Sequence, residues 1–293
     1  MVGARVPIEI DASPADFAMP RFAANLTLMF TEWEFLDRFA AAADAGFRHV
    51  EFLFPYAHEP DDIARRLAAN HLTAVLFNLK PGDFSAGERG LAALPSRGQE
   101  FQASVAQALT YARALDVKQL HVMSGLADPR DPAARAAWMG SMRHAAQTFA
   151  AEGIDTLIEP LNTRDNPGYF LTDFELARQL IGELGAPRLK LQYDIYHRQI
   201  LHGDVLTSLA AMMPIIGHVQ IASVPDRHEP GTGELDDDLV LRRLDALGYS
   251  GYVGCEYRPA GTTPAGLGWF DAWRKRMESG GGFKSTRGER SDG

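Results

Sequence analysis

The feature that most constrains this chain is a regular alternation of two kinds of segment. Eight short apolar runs, "RFAANL" (21–26), "HVEFLF" (49–54), "TAVLFNL" (73–79), "LHVMSG" (120–125), "TLIEPL" (156–161), "LKLQYDI" (189–195), "GHVQIAS" (217–223) and "YVGCEY" (252–257), have the length of strands buried on both faces. Between them lie amphipathic stretches such as "EPDDIARRLAANH", "FQASVAQALTYARALDV" and "TDFELARQLIGELG", with apolar residues at helical spacing and often a closing glycine. Strand then helix, repeated eight times, predicts an α/β fold of one domain, a (β/α)8 TIM barrel. The thinnest link is "DVLTSLAAMMPII" between the sixth and seventh runs, where Pro214 leaves room for only a short helix. A doubly wound open sheet is the alternative, but no Gly-rich dinucleotide turn follows the first run.

The alternation spans residues 19–276. Residues 1–18 have no sustained period and read as a flexible extension, with Met19 as a candidate start. Residues 277–293, rich in glycine and charge, read as a disordered tail. The formal charge of −9, from 29 basic and 38 acidic residues, argues against nucleic acid and anionic membranes as partners, since both need a positive field. A small molecule fits better. The single cysteine, Cys255, cannot form an internal disulfide, and neither a signal peptide nor a membrane-spanning run is evident, so the expected setting is the cytoplasm.

In a barrel of this kind the reactive groups project from the carboxyl ends of the strands. Four polar residues sit late in four consecutive apolar runs: Glu159 in the fifth, Asp194 in the sixth, Gln220 in the seventh and Glu256 in the eighth. Neighbouring strands would bring them to one side of the mouth. Three carboxylates and an amide oxygen form an all-oxygen set suited to a hard divalent ion, Mg2+ or Mn2+, and less to zinc. Such an ion would polarise a carbonyl and stabilise the charge that develops when a neighbouring C–H loses its proton. One carboxylate near a strand end is more often a cap than a ligand. Four polar groups on successive strands, three of them acids, are harder to explain without a cation or substrate, because buried acids without partners are costly.

Two further residues stand close by. His197, three past Asp194, can donate to a substrate oxygen, with a solvated loop histidine as the competing reading. Arg227, just beyond the seventh run, can neutralise a substrate carboxylate, with a surface arginine as the alternative. The loops "PGDFSAGERG" and "EPGTGE" lack the Lys-Ser/Thr pair of a phosphate cradle and read as pocket-shaping loops. Cys255 points away from Glu256 along its strand and reads as packing.

The segments "RFAANLTLMFTE", "VEFLFPY", "PGDFSAGERGLAALP", "IEPLN", "LQYDIYH", "HVQIASVPDRHEPGTGE" and "GCEYRP" resemble the hydroxypyruvate isomerase family of xylose isomerase-like TIM barrels. The resemblance runs from about residue 19 to about residue 273. "MPRFAANL", "VPDRHEP" and "GLGWFDAWR" look closer to its members acting on 2-oxo-tetronate than to those acting on hydroxypyruvate. It implies an isomerase that moves a carbonyl between adjacent carbons of a small anionic hydroxy-keto acid through an enediolate, without an organic cofactor. The family's two essential glutamates would fall on Glu159 and Glu256, with Asp194 and Gln220 completing the ion site, His197 on a substrate oxygen and Arg227 on the substrate carboxylate. The chain departs from related sugar epimerases in having Gln220 where a histidine is common, and from closer relatives in having Leu235-Asp236 after "GTGE". Hydroxypyruvate isomerisation, a ketose 3-epimerase and a barrel that binds a small acid without turnover are the alternatives, and assembly with further copies of itself stays open.

Overall fold

The computed structural model describes residues 20–278. Eight parallel strands pair in chain order: β1 Arg21–Asn25, β2 His49–Phe52, β3 Thr73–Asn78, β4 Gln119–His121, β5 Asp155–Ile158, β6 Leu189–Asp194, β7 Ile216–Ile221 and β8 Tyr252–Cys255. β8 returns to pair with β1, Val253 opposite Phe22 and Cys255 opposite Ala24, so the sheet closes and leaves no edge. Each strand lies on one of the eight apolar runs. The expected extension over 1–18 and nearly all of the expected tail lie outside the described residues; residues 277 and 278 close the last helix.

The helices on the outside are α1 Arg38–Asp44, α2 Pro60–Ala69, α3 Gly98–Leu115, α4 Pro132–Ala150, α5 Phe174–Leu184, α6 Ile195–His202, α7 Val205–Met212, α8 Asp237–Ala246, α9 Thr263–Gly266 and α10 Gly268–Glu278. None is long and apolar enough to cross a membrane. The link between β6 and β7 holds two short helices, α6 and α7, followed by a tight turn over Met213–Ile215 that contains Pro214. Local chemistry sets several helix starts. The side chains of Asp131, Asp173 and Asp236 accept hydrogen bonds from Ala133, Leu176 and Leu239 at the amino ends of α4, α5 and α8. Asp236, part of the departure after "GTGE", is thus a helix cap. The principal core lies between strands and helices, where Trp138, Phe149, Phe170 and Phe174 are fully buried.

The inside of the barrel is more polar than the branched aliphatic filling usual for this fold. A small apolar cluster of Ala23, Val75, Leu76 and Leu157 stands apart from the principal core. Ala23 and Leu157 each precede an inward polar residue by two positions, Asn25 and Glu159, so the apolar layer lies below a polar one. Glu51 of β2 reaches across that polar layer. It accepts from Asn25 Nδ2 at 3.0 Å and Gln220 Nε2 at 2.7 Å, and pairs with His218 Nε2 at 2.7 Å. A Cβ at Gly254 would lie 2.5 Å from the Glu51 carboxyl carbon, so the glycine on β8 is what gives this carboxylate its place.

Two consequences are testable. Gly254→Ala should destabilise the protein by about 1–3 kcal/mol, the usual cost of forcing extra volume into a packed interior, measured by denaturant unfolding. Asp237 is buried, accepts from the Gly231 backbone at 2.6 Å, and is pushed by burial from 3.8 to about 6. Its raised value means that the fold favours the protonated form. That contribution is complete below the unfolded-state value and is lost as pH rises through about 6. Wild type should therefore lose roughly 2 kcal/mol relative to Asp237→Asn between about pH 4 and pH 7, and parallel stability curves for the two proteins would refute this.

Candidate active site

Glu159 and Glu256 each stand one residue past the end of their strand, β5 and β8, rather than within it. Pro160, which follows Glu159, has no N–H to continue the ladder. Asp194 ends β6 and at the same time caps α6: its Oδ1 accepts the Tyr196 N–H at 2.8 Å, leaving Oδ2 turned toward the mouth. One carboxylate thus fixes the strand-to-helix turn with one oxygen and sets the other near Arg227 and His197.

These acids are enclosed. Glu159 is 4% exposed, Asp194 0% and Glu256 8%. His197 is buried in the first turn of α6, which excludes the solvated loop reading. Arg227 is no surface residue either, for its side chain is 13% exposed and lies among the acids. Its Nη2 is 2.5 Å from Glu256 Oε2 and 3.4 Å from Asp194 Oδ2, its Nε donates to the Glu256 carbonyl at 3.2 Å, and Nη1 takes no part in these bonds. The guanidinium also stands 4.8 Å over the ring of Tyr196. Its backbone is left-handed, with φ at 57°, a costly choice for a non-glycine residue. The turn is held by Arg227 N–H to the Ser223 carbonyl at 3.0 Å and by Arg258 N–H to the Arg227 carbonyl at 2.8 Å.

The electrostatics follow from this enclosure. Burial raises Glu256 to about 8 and Asp194 to about 6, with Arg227 opposing the rise in both. Glu159 is raised well above the usual carboxylate range, first by burial and then by the charges of Glu256 and Asp194. Burial works against the charge on Arg227, but Glu256, Asp194 and Glu159 more than offset it and hold the guanidinium firmly ionised. His197 is pushed well below its ordinary value by burial, Arg227 and His121, so it is neutral. The two glutamates therefore differ. Glu256 has a cation against it, while Glu159 Oε1 has no hydrogen-bond partner.

Gln220 stands at the level of Asp194, its register partner on β6. Its amide is already engaged, Oε1 accepting from Gln192 Nε2 at 2.7 Å and Nε2 donating to Glu51 at 2.7 Å. Of the expected four-ligand set, Glu159 and Asp194 lie together with His197, one candidate ligand atom from each within 4.8 Å of the others, while Glu256 lies against Arg227 and Gln220 is hydrogen-bonded to Gln192 and Glu51. An amide oxygen that accepts one hydrogen bond keeps a second lone pair. The two carboxylates suit a hard divalent ion, and the unpartnered Glu159 Oε1 is the kind of buried oxygen that a cation satisfies. The residues that sequence reasoning missed are Asn162, Glu51, Gln192, His218 and His121. Gln192 and His218 each stand two positions before a chosen residue, Asp194 and Gln220, and strand alternation would have pointed to both. His121, fully buried and lowered to about 3 by burial and then by His218, lies 3.7 Å from Glu159.

Known proteins share this architecture. The chain is 51% identical to 2-oxo-tetronate isomerase of Cupriavidus necator over 260 residues, covering 88% of this chain and all of that one. It is 44% identical to hydroxypyruvate isomerase of Escherichia coli over 262 residues, covering 87% of this chain and all of that one. A crystal structure of a family 2 AP endonuclease from Brucella melitensis superposes with a TM-score of 0.85 at 50% identity, covering 87% of this chain and 99% of that one. The sequence profile of one family matches residues 39–273. With its closed eight-stranded barrel, its enclosed acids at the strand ends and these relatives, the chain belongs to the xylose isomerase-like TIM barrel family.

Proposed function

We propose that this protein is a cytoplasmic isomerase that interconverts small hydroxy-keto acids by proton transfer through an enediolate, with 2-oxo-tetronate and 3-oxo-tetronate as the preferred pair. The observation that carries the reading is the meeting of two enclosed glutamates of unlike environment with one guanidinium, Arg227, 2.5 Å from Glu256. A 1,2-carbonyl shift removes the proton from the carbon beside the carbonyl and returns one to the former carbonyl carbon, while the neighbouring hydroxyl gives up its proton and the former carbonyl oxygen gains one. Paired acids whose surroundings set them apart are suited to the two transfers at carbon. Glu159 and Glu256 take them, on the two sides of the carbon pair.

The enediolate carries negative charge in a water-poor mouth, and fixed donors there are worth more than in solvent. Nη1 of Arg227 is directed to the substrate carboxylate and His197 to an enediolate or hydroxyl oxygen. A divalent ion, Mg2+ or Mn2+, would be held by Glu159 and Asp194 and would supply Lewis-acid polarisation of the carbonyl. Glu256 and Gln220, expected as further ligands, serve differently in this reading: Glu256 in proton transfer against Arg227, Gln220 as the link to the layer below. The 51% relative favours the four-carbon acid, and the 44% relative makes hydroxypyruvate the second substrate to try. The kinship with an AP endonuclease does not favour nucleic acid here, since the formal charge of −9 repels a polyanion.

The test is an NMR isomerisation assay in deuterated water, comparing 2-oxo-tetronate with hydroxypyruvate, with and without a chelator. Enediolate chemistry puts solvent deuterium into the product, whereas a product free of label would mark a hydride shift and overturn the mechanism. Glu159→Gln and Glu256→Gln should each lower kcat by about 10²–10⁴-fold, the range for loss of an acid–base group, with unchanged circular dichroism. Near-normal turnover in either variant would remove the two-glutamate scheme.

A further inference from the structure

The geometry points to Asn162 as a positioning residue that fixes His197 in the neutral tautomer carrying its proton on Nε2, so that His197 acts as a hydrogen-bond donor to substrate and not as a metal ligand. The inference deepens the isomerase reading and rests on it for its catalytic half only. Nδ1 of His197 meets two donors, the backbone N–H of Asn162 at 3.1 Å and the Asn162 side-chain amide nitrogen at 2.8 Å. A ring nitrogen that accepts cannot also hold a proton, and a neutral imidazole then places its one proton on the other nitrogen.

The assignment depends on which way the Asn162 amide faces, and its surroundings decide that. Asn162 Oδ1 accepts the Asp165 backbone N–H at 2.9 Å, and its Nδ2 donates to Asp165 Oδ2 at 2.9 Å. Flipping the amide would set nitrogen against an N–H and oxygen against a carboxylate, two losses at once. Asp165 is itself anchored, because its Oδ2 accepts the Tyr196 hydroxyl at 2.8 Å. Even a flipped amide would leave the backbone N–H of Asn162 pointing at Nδ1, and that donor cannot be reversed.

The consequence falls on Nε2. It faces Asp194 Oδ2 at 3.5 Å, too long for a good hydrogen bond, so the N–H is not spent there and remains for a ligand oxygen. An N–H has no lone pair to offer a cation. His197 therefore stands within the Glu159–Asp194 cluster as a proton donor, although its distances alone would make it a third ligand. Ligation through Nε2 would move the proton to Nδ1, against both Asn162 donors.

The test reads the tautomer directly. Long-range proton–nitrogen correlation spectra of the 15N-labelled full chain at neutral pH, with His197 assigned from a His197→Gln control, should show Nε2 protonated and Nδ1 bare, with or without added Mg2+. Asn162→Asp puts a carboxylate beside Nδ1 and should move the proton there, with kcat for the isomerisation falling by about 10²-fold and KM changing far less, as for loss of an oxyanion donor. Asn162→Ala keeps the backbone donor and should keep the Nε2–H signature, which guards against a misfolded aspartate variant. Protonated Nδ1 in wild type, a switch to it on adding Mg2+, or a tautomer change in Asn162→Asp with kcat unaltered would each overturn the proposal. If wild type has the expected tautomer but isomerises neither acid, the functional reading falls and the tautomer assignment stands.

Discussion

Charge buried away from bulk solvent is the constraint on which the rest of this mouth depends. Glu159, Asp194 and Glu256 are buried together, and each raises the cost of ionising another. Arg227 answers that cost with a guanidinium between two of them, and the chain accepts a left-handed backbone to put it there. The cation also rests on the ring of Tyr196, whose hydroxyl holds Asp165, which orients Asn162, which in turn orients His197. Charge balance at one end of the site and proton placement at the other are thus ends of one connected set of contacts, and a change at Tyr196 would disturb both. Such connected polar groups fix a single arrangement of the site, since half of the set satisfied is worse than none.

The same constraint extends below the mouth. A buried carboxylate at Glu51 is tolerable because three groups satisfy it, Asn25, Gln220 and His218, drawn from β1 and β7, and because β8 withholds a side chain at Gly254. This layer replaces aliphatic packing with directional bonds. The barrel gives up some apolar burial there and gains a fixed floor beneath the acids. Leu157 and its neighbours close the interior below that floor with ordinary apolar contact.

The architecture was legible in the sequence because fully buried strands are written as apolar runs, and each of the eight runs carries one strand. The polar residues at strand ends were legible for the same reason, as exceptions within apolar text. Asn162 was not, although it stands in "IEPLN": its function depends on which atoms of His197 and Asp165 it meets, and a linear pattern carries no hydrogen-bond direction. Glu51 was hidden in mid-strand, where "HVEF" reads as apolar with one interruption. Gln220 was found but its engagement was not, because only the fold shows that Gln192 lies on one side of its amide and Glu51 on the other.

That engagement bears on how the site stabilises charge. A histidine bound to a metal through one nitrogen characteristically donates its other N–H to a carboxylate. Gln220 keeps the second half of this arrangement, its Nε2 donating to Glu51 at 2.7 Å, while its oxygen accepts from Gln192. The position is thereby tied to the layer beneath, while the amide oxygen keeps a second lone pair. The fixed positive charge at the mouth is that of Arg227, which lies against Glu256 and Asp194. A site organised in this way favours substrates that bring their own negative charge to the guanidinium. Neutral ketoses lack that charge, and the arrangement therefore selects a hydroxy-keto acid before any contact with its hydroxyl groups is made.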